Sequence, residues 1–459
     1  MPELTRRQAV KRALMIGTAG AIAGFGAFSG GHLYGSREPA RPWEDLGGRP
    51  LRLLAGRDDT ANGQRRLLVE QWNARYPGHP AEMVELPGIA DLQFSAIHAT
   101  LQSGSADVDA VELDVPWIAE FAKAGHLEAL KDADTEGFLR HPLATGRVDG
   151  ELYALPFHTN VGMLYYREGA DSDYATGTLS ATEAASIGDW NGLRETIGWM
   201  LEANPDFDGG IAMQLAPYEG FTVNVWEYLL ASGVAVDEAD GMIDFGERSD
   251  AAGVLEELSR DLHEEVREGA QVILQEALQH DEADALAAFQ TGRVPFLRHW
   301  PQVIRTLQEC ELDFAVGVVP MPGGVLGGGS LAVSAHSTRR NAARALIEFL
   351  TGPTSEQLLF ERGSFAATRH EPYFDAIAQN ANAVPPSGDA CEAAAGPRVE
   401  ADELYDALTG QGPGRRPAVE RYTQFSRAFR DALHPELAND AAPDLRGLDR
   451  RLKDAIEGK

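Results

Sequence analysis

Asp114 closes the apolar stretch VDAVELD (108–114) just before Pro116. A carboxylate there stands at the C-terminal edge of a strand, where open α/β sheets bind ligands. The plainer role for it is a helix N-cap. In GELYALPFHTNVGMLYYREGA (150–170), His158, Thr159 and Asn160 separate two apolar runs. Ordered pockets fix a ligand with a few polar groups among apolar walls. The alternative is a turn in which Asn160 serves its own backbone. Tyr218 and Glu219 stand together in PYEG, Trp300 follows an apolar run and precedes Pro301, and Arg416 lies in RRP beside Arg415. Carboxylates, amides and guanidinium groups pair with hydroxyls, each of which costs about 1–3 kcal/mol if buried unpaired. Indole and phenol rings add large apolar area.

Catalytic and metal-binding arrangements are less apparent. Asp114 and Glu219 could be cast as the carboxyl pair of glycoside hydrolysis, but only their presence favours it. No G-x-S-x-G turn occurs. His370-Glu371-Pro372 lacks the second histidine of a zinc-protease motif. The 12 histidines are scattered, so no metal and no cofactor is expected.

These residues sit on an alternating pattern. LRLLAG (51–56) and AEMVEL (81–86) read as strands around a helix over 62–78, whose Leu67, Leu68, Trp72 and Tyr76 lie near one face. A second helix (92–105), the strand 108–114 and a third helix (115–130) follow. Three strand–helix alternations in some eighty residues predict an α/β unit with a mainly parallel sheet. Further on, a helix capped by Asp189, a helix ending at Gln290 followed by a strand from 294, a strand at 329–337 and an amphipathic helix at 340–352 are expected. The C-terminal third reads as mostly helical and acidic.

With 459 residues, the chain is long enough for two domains, each with its own core. Net charge is −30, and only five of the 40 basic residues are lysine. Such a surface repels phosphate and argues against nucleic acid as a partner. TRRQAVK (5–11) followed by an uncharged, Ala- and Gly-rich stretch (13–36) reads as a twin-arginine export signal, with small residues at AFSG (27–30) for cleavage. Residue 9 is Ala where an aromatic is common. The expected location is periplasmic or extracellular, with an uncleaved signal acting as a membrane anchor as the alternative. Cys310 and Cys391, the only cysteines, either pair or remain separate thiols.

The segments DVDAVELDVPWIAEFAKAGHLEAL, GELYALPFHTNVGMLYYR, APYEGFTVNVWEYL, AFQTGRVPFLRHWP, VGVVPMPGG, LGGGSLAVSAHS and RRPAVERYTQFSRAF occur in this order. Together they resemble the extracellular sugar-binding proteins of ABC importers, the family of maltose- and trehalose-binding proteins. That resemblance implies the α/β two-lobe periplasmic-binding-protein fold of type II, with crossing strands as hinge and ligand in the cleft. The expected layout is an export signal at 1–29, a linker at 30–49, lobe 1 at 50–157 plus 322–366 and lobe 2 at 158–321 plus 367–459. The implied ligand contacts are Asp59, Gln93, Asp114, His158, Asn160, Tyr218, Glu219, Trp300, Gly329 and Arg416. Several depart from the trehalose/maltose binders. Asn160 replaces an aspartate, His158 a tyrosine, Gln93 an arginine and Gly329 a tryptophan, and an early acidic position falls at Ala61, with Asp58, Asp59 and Asn62 nearby. One stacking platform and two charges are thus missing, which implies another ligand, such as a smaller sugar, a sugar derivative or a polyol. A monomer delivering this ligand to an ABC permease is expected, and no enzyme. A non-sugar solute such as a polyamine or compatible solute is the alternative; a glycoside-active enzyme is a weaker one.

Overall fold

The computed structural model of the protein describes residues 49–58, 63–237, 241–246, 249–309, 312–363, 365–382, 400–410, 412–441 and 443–459. The twin-arginine motif, Asp59, Ala61, Asn62, Cys310 and Cys391 lie outside the described residues.

In chain order the strands are β1 (Leu51–Ala55), β2 (Ala81–Glu85), β3 (Ala110–Asp114), β4 (Arg147–Val148), β5 (Glu151–Leu152), β6 (Ala154–Val161), β7 (Met163–Glu168), β8 (Gly209–Ala212), β9 (Glu265–Arg267), β10 (Ala270–Ile273), β11 (Phe296–His299), β12 (Ala315–Pro320) and β13 (Leu326–Val333). One sheet has the order β2-β1-β3-β13-β6, another β12-β7-β11-β8-β10-β9, and β4 pairs with β5 alone. β1 runs parallel to both β2 and β3, as the alternating strand–helix pattern predicts. In the other sheet β8 is parallel to β10 and β11, while β7 is antiparallel to β11 and β12.

The chain forms two compact units. Unit 1 holds the described residues up to Leu113, together with Ala124–His158 and Gly329–Asp402. Unit 2 holds Asp114–Lys123, Thr159–Gly328 and Glu403–Lys459. Against the layout drawn from the sequence, residues 114–123 and 322–328 lie in the second unit, and His158 and the described residues of 367–402 in the first. Unit 1 buries Leu53, Ala55, Trp72, Leu331 and Leu346 in one core. In unit 2, the helix Glu219–Ala231 is buried almost all round, and its Trp226 packs edge-on against Phe425 and Phe429 of the helix Tyr422–Ala438. A helix apolar on every side belongs in a core.

Local signals explain most element ends. Asp189 caps Trp190–Ala203 by accepting the Gly192 N–H at 2.9 Å. The helix expected over 115–130 is only Trp117–Lys123. Gly125, at φ 73°, turns the chain left-handed and stops it. The helix expected from 62 begins at Gln64, with the Asp58 carboxylate accepting the Arg66 N–H at 2.9 Å. His158–Asn160 form no turn: β6 runs unbroken through them. Strand alternation puts His158 and Asn160 on one, partly exposed face, and sends Thr159 to the buried face. There the Thr159 hydroxyl donates to the Gly327 carbonyl at 3.2 Å.

Glu356 is a buried carboxyl within unit 1. Oε2 accepts the Thr368 N–H at 2.7 Å, and Oε1 has no hydrogen-bond partner. The nearby Arg369 guanidinium donates instead to the carbonyls of Thr351 and Glu136, each at 2.8 Å. Burial pushes Glu356 up to about 8, only partly offset by Thr368 and Arg369. A carboxyl raised on folding stabilises the protein fully below its unfolded pKa, and this contribution is lost as pH rises through the folded value. The melting temperature should therefore fall more steeply from pH 5 to 8 in the unaltered chain than in Glu356→Gln. The widening gap should exceed ~2 °C, given about 2–4 °C per kcal/mol for a domain of this size. Parallel slopes would show that Glu356 is ionised in the folded protein.

Candidate functional site

A dense polar cluster of unit 2 surrounds Arg416. Its segment is pinned on both sides: the Leu326 N–H donates to the Gly414 carbonyl at 2.8 Å and the Trp226 indole to the Arg415 carbonyl at 3.0 Å. This exposes Arg415 and buries Arg416. Arg416 Nη1 donates to Asp114 Oδ2 at 2.8 Å and Glu219 Oε1 at 3.0 Å, and Nη2 to Asp114 Oδ1 at 2.6 Å. Burial alone would lower its pKa, but the Asp114 charge and its neighbours hold it well above the ordinary value.

Glu219 is saturated by protein. Oε1 also accepts the Tyr422 hydroxyl, and Oε2 accepts the Ser426 hydroxyl at 2.7 Å and Arg430 Nη1 at 3.4 Å. Glu219 therefore orients Arg416. Asp114, whose side chain is 22% exposed, keeps lone pairs beyond those used by Arg416. Two buried polar atoms of the cluster have no hydrogen-bond partner, Arg416 Nε and Asn160 Oδ1. Gly327 explains how Asn160 fits: a Cβ there would lie 2.7 Å from Asn160 Oδ1 and 3.8 Å from Arg416 Nη2. An amide and a guanidinium thus converge above a bare backbone, giving an acceptor beside a donor, as a hydroxyl requires.

Trp300, elsewhere in unit 2, follows β11 directly. The Arg298 guanidinium backs one face of its indole, 3.8 Å from the ring centroid, and Nε1 donates to Glu282 Oε1 at 3.3 Å. Arg298 is fully buried and forked onto Glu227, with bonds of 2.6 and 2.8 Å, while Nη1 donates to Gln214 at 3.0 Å. The ring is thereby held rigid on a cation. Tyr218 sits nearby, and burial together with the Glu282 carboxylate pushes its phenol far above the ordinary range. The sequence reading missed Glu227 and Arg298. The available signal was a charged residue inside each of two mainly apolar segments, FTVNVWEYLL and PFLRH.

Unit 1 carries its own cluster where β1 and β3 end. Glu112 on β3 accepts the Gly56 N–H at 3.0 Å, pairs with Arg65, and lies 2.9 Å from His158 Nε2. Gln93 approaches the same glycine: a Cβ on Gly56 would lie 3.4 Å from its amide nitrogen. Gly329 is a spacer, since a Cβ there would lie 2.5 Å from Glu112 Oε1 and 2.6 Å from His158 Nε2. The carboxylate–imidazole pair thus occupies the space a side chain at 329 would need. Arg65 and Glu112 were not among the residues expected from sequence. Among the described residues, no group of three or more His, Cys, Asp or Glu side chains is disposed to hold a metal ion. No helix among them is long and apolar enough to cross a membrane.

Comparison with known proteins agrees with this architecture. The family described as bacterial extracellular solute-binding protein matches residues 76–386. A probable ABC transporter-binding protein of Deinococcus radiodurans is 25% identical over 397 residues, 82% of this chain and 86% of that protein. The structure of maltose-bound MalE3 of T. maritima aligns with a TM-score of 0.68 at 23% identity, covering 89% of this chain and 98% of that one. UgpB from Mycobacterium tuberculosis, in complex with glycerophosphocholine, aligns with a TM-score of 0.68 at 18% identity, covering 90% and 99%. The fold is the type II, two-lobe α/β fold of periplasmic binding proteins, and the chain belongs to the bacterial extracellular solute-binding protein family.

Proposed function

We propose that this chain binds a small neutral carbohydrate, sugar derivative or polyol outside the cytoplasmic membrane and delivers it to an ABC permease. The observation that carries this reading is that the carboxylates of both clusters are already paired while other polar atoms have no partner on the protein. Arg416 spans Asp114 and Glu219, and Arg65 holds Glu112. Asn160 Oδ1, Arg416 Nε and His158 Nδ1 are buried without hydrogen-bond partners. A polyamine would meet carboxylates whose charge is already matched by a guanidinium. A hydroxylated solute needs only these unpartnered atoms and a flat platform such as Trp300.

The same pairing speaks against hydrolysis. A glycosidase acid must carry a proton to its substrate, whereas both oxygens of Asp114 and both of Glu219 accept protein donors. The maltose bound by MalE3 supports a carbohydrate ligand by analogy. Export by the twin-arginine route would follow from TRRQAVK. Periplasmic binding proteins close two lobes on their solute, and closure is favoured by the solute's higher affinity for the closed state. The loaded form would then dock on the permease as a monomer.

Calorimetry should show binding of at least one neutral mono- or disaccharide or polyol and none of spermidine; tight spermidine binding with no sugar binding would reverse the assignment. Trp300→Ala and Asp114→Asn should each weaken sugar binding at least about tenfold, or ~1.4 kcal/mol. Unchanged affinity in both would remove these residues from the site. Arg416→Ala leaves Asp114 and Glu219 without their shared partner and should destabilise the chain by about 3–5 kcal/mol in urea unfolding. A loss under ~1 kcal/mol would mean that solvent already screens the pair.

A further inference from the structure

His158 Nδ1 is buried and has no hydrogen-bond partner, although the ring around it is held from several sides. Nε2 lies 2.9 Å from Glu112 Oε1. The other carboxylate oxygen accepts the Gly56 N–H at 3.0 Å and is paired with Arg65. Arg65 is itself anchored by the Arg57 carbonyl at 3.3 Å and lies over the Phe157 ring, 5.5 Å from its centroid. Phe365 stacks on the imidazole with centroids 4.4 Å apart and planes 19° from parallel. Ring plane and ring edge are both fixed.

We infer that Arg65 and Glu112 are positioning residues that hold His158 as the Nε2–H tautomer, so that its Nδ1 lone pair accepts a hydrogen bond from a ligand hydroxyl. The inference rests on the carbohydrate reading above and adds the polarity of one contact. An ionised carboxylate only accepts, so the imidazole nitrogen beside it must carry the hydrogen. Burial pushes Glu112 up, but the Arg65 charge and the hydrogen bonds from His158 and Gly56 outweigh it and hold the carboxyl below the usual range. A neutral imidazole has one N–H, so Nδ1 is left bare. The same logic orients metal-bound histidines, whose outer nitrogen donates to a carboxylate. Here the freed nitrogen meets a hydroxyl hydrogen instead of a metal. A ligand deoxygenated at that carbon would leave Nδ1 unpaired and lose the contact.

Two measurements on the full chain test this. Long-range proton–nitrogen NMR of the ligand-free protein at pH 8 should show the Nε2–H tautomer for His158. Titration calorimetry with maltose, glucose and mannitol should separate two substitutions. In His158→Asn the new amide oxygen stands in for Nδ1, and that variant should bind the best of the three within about threefold of the unaltered chain. His158→Gln keeps the Nε2-like donor to Glu112 but loses the acceptor, and it should bind at least tenfold more weakly. A role confined to donating a hydrogen bond to Glu112 gives the opposite order. An Nδ1–H tautomer, or a Gln variant that binds as well as the Asn variant, overturns the proposal. If none of these three solutes binds the unaltered chain, the carbohydrate reading falls and the acceptor role with it. The tautomer, read without ligand, still decides the positioning by Glu112.

Discussion

One guanidinium organises the polar cluster of unit 2. Arg416, with a side chain only 4% exposed, is shared between Asp114 and Glu219. Two carboxylates this close to one cation are compatible only while it stays in place. Breaking a buried pair leaves an uncompensated charge, whereas forming it yields little net stability. The arrangement is therefore better understood as a device for position than for stability. Glu219 is tied down by Tyr422, Ser426 and Arg430, so Arg416 cannot drift, and Asp114 inherits that rigidity. The Asp114 carboxylate keeps lone pairs that Arg416 does not use.

The same construction recurs under Trp300 and around His158. Arg298 and Glu227 are both fully buried and joined by a forked pair of bonds, and the indole lies on that guanidinium. In unit 1, Arg65 holds Glu112, which in turn holds His158. In each case a buried ion pair stands behind the group that is partly open. Groups held this way are pre-organised, and under the proposed function less conformational freedom would be lost when a solute is ordered against them. It also presents little free charge, which suits a neutral polyhydroxylated molecule and discourages ions.

Glycine does for shape what arginine does for charge. The run Gly327–Gly329 in β13 has no side chains, and the space is filled from neighbouring strands. Asn160 comes over Gly327, and the Glu112–His158 pair over Gly329. Read by resemblance alone, Gly329 was a missing aromatic platform. In the folded chain, that space belongs to a carboxylate and an imidazole. Gly329 and His158 thus belong to one packing arrangement.

Periodicity along the chain was enough to indicate an α/β protein, the parallel β1–β3 set and caps such as Asp189, because those depend on neighbours three or four residues away. The ordered motifs further implied the two-lobe family. Local pattern also marked Asp114, His158, Asn160, Trp300 and Arg416 as polar or aromatic groups at the ends of apolar segments. It could not say that Glu219 is consumed in orienting Arg416, because Tyr422, Ser426 and Arg430 are some two hundred residues away. Nor could it bring Arg65 to Glu112, or Arg298 to Glu227, since partners so distant in sequence meet only after the strands have paired. Residue type and spacing determined what each group was able to offer. Which nitrogen or oxygen was left over to offer it was decided by the tertiary structure, because hydrogen-bonding capacity is finite and the fold chooses who uses it first.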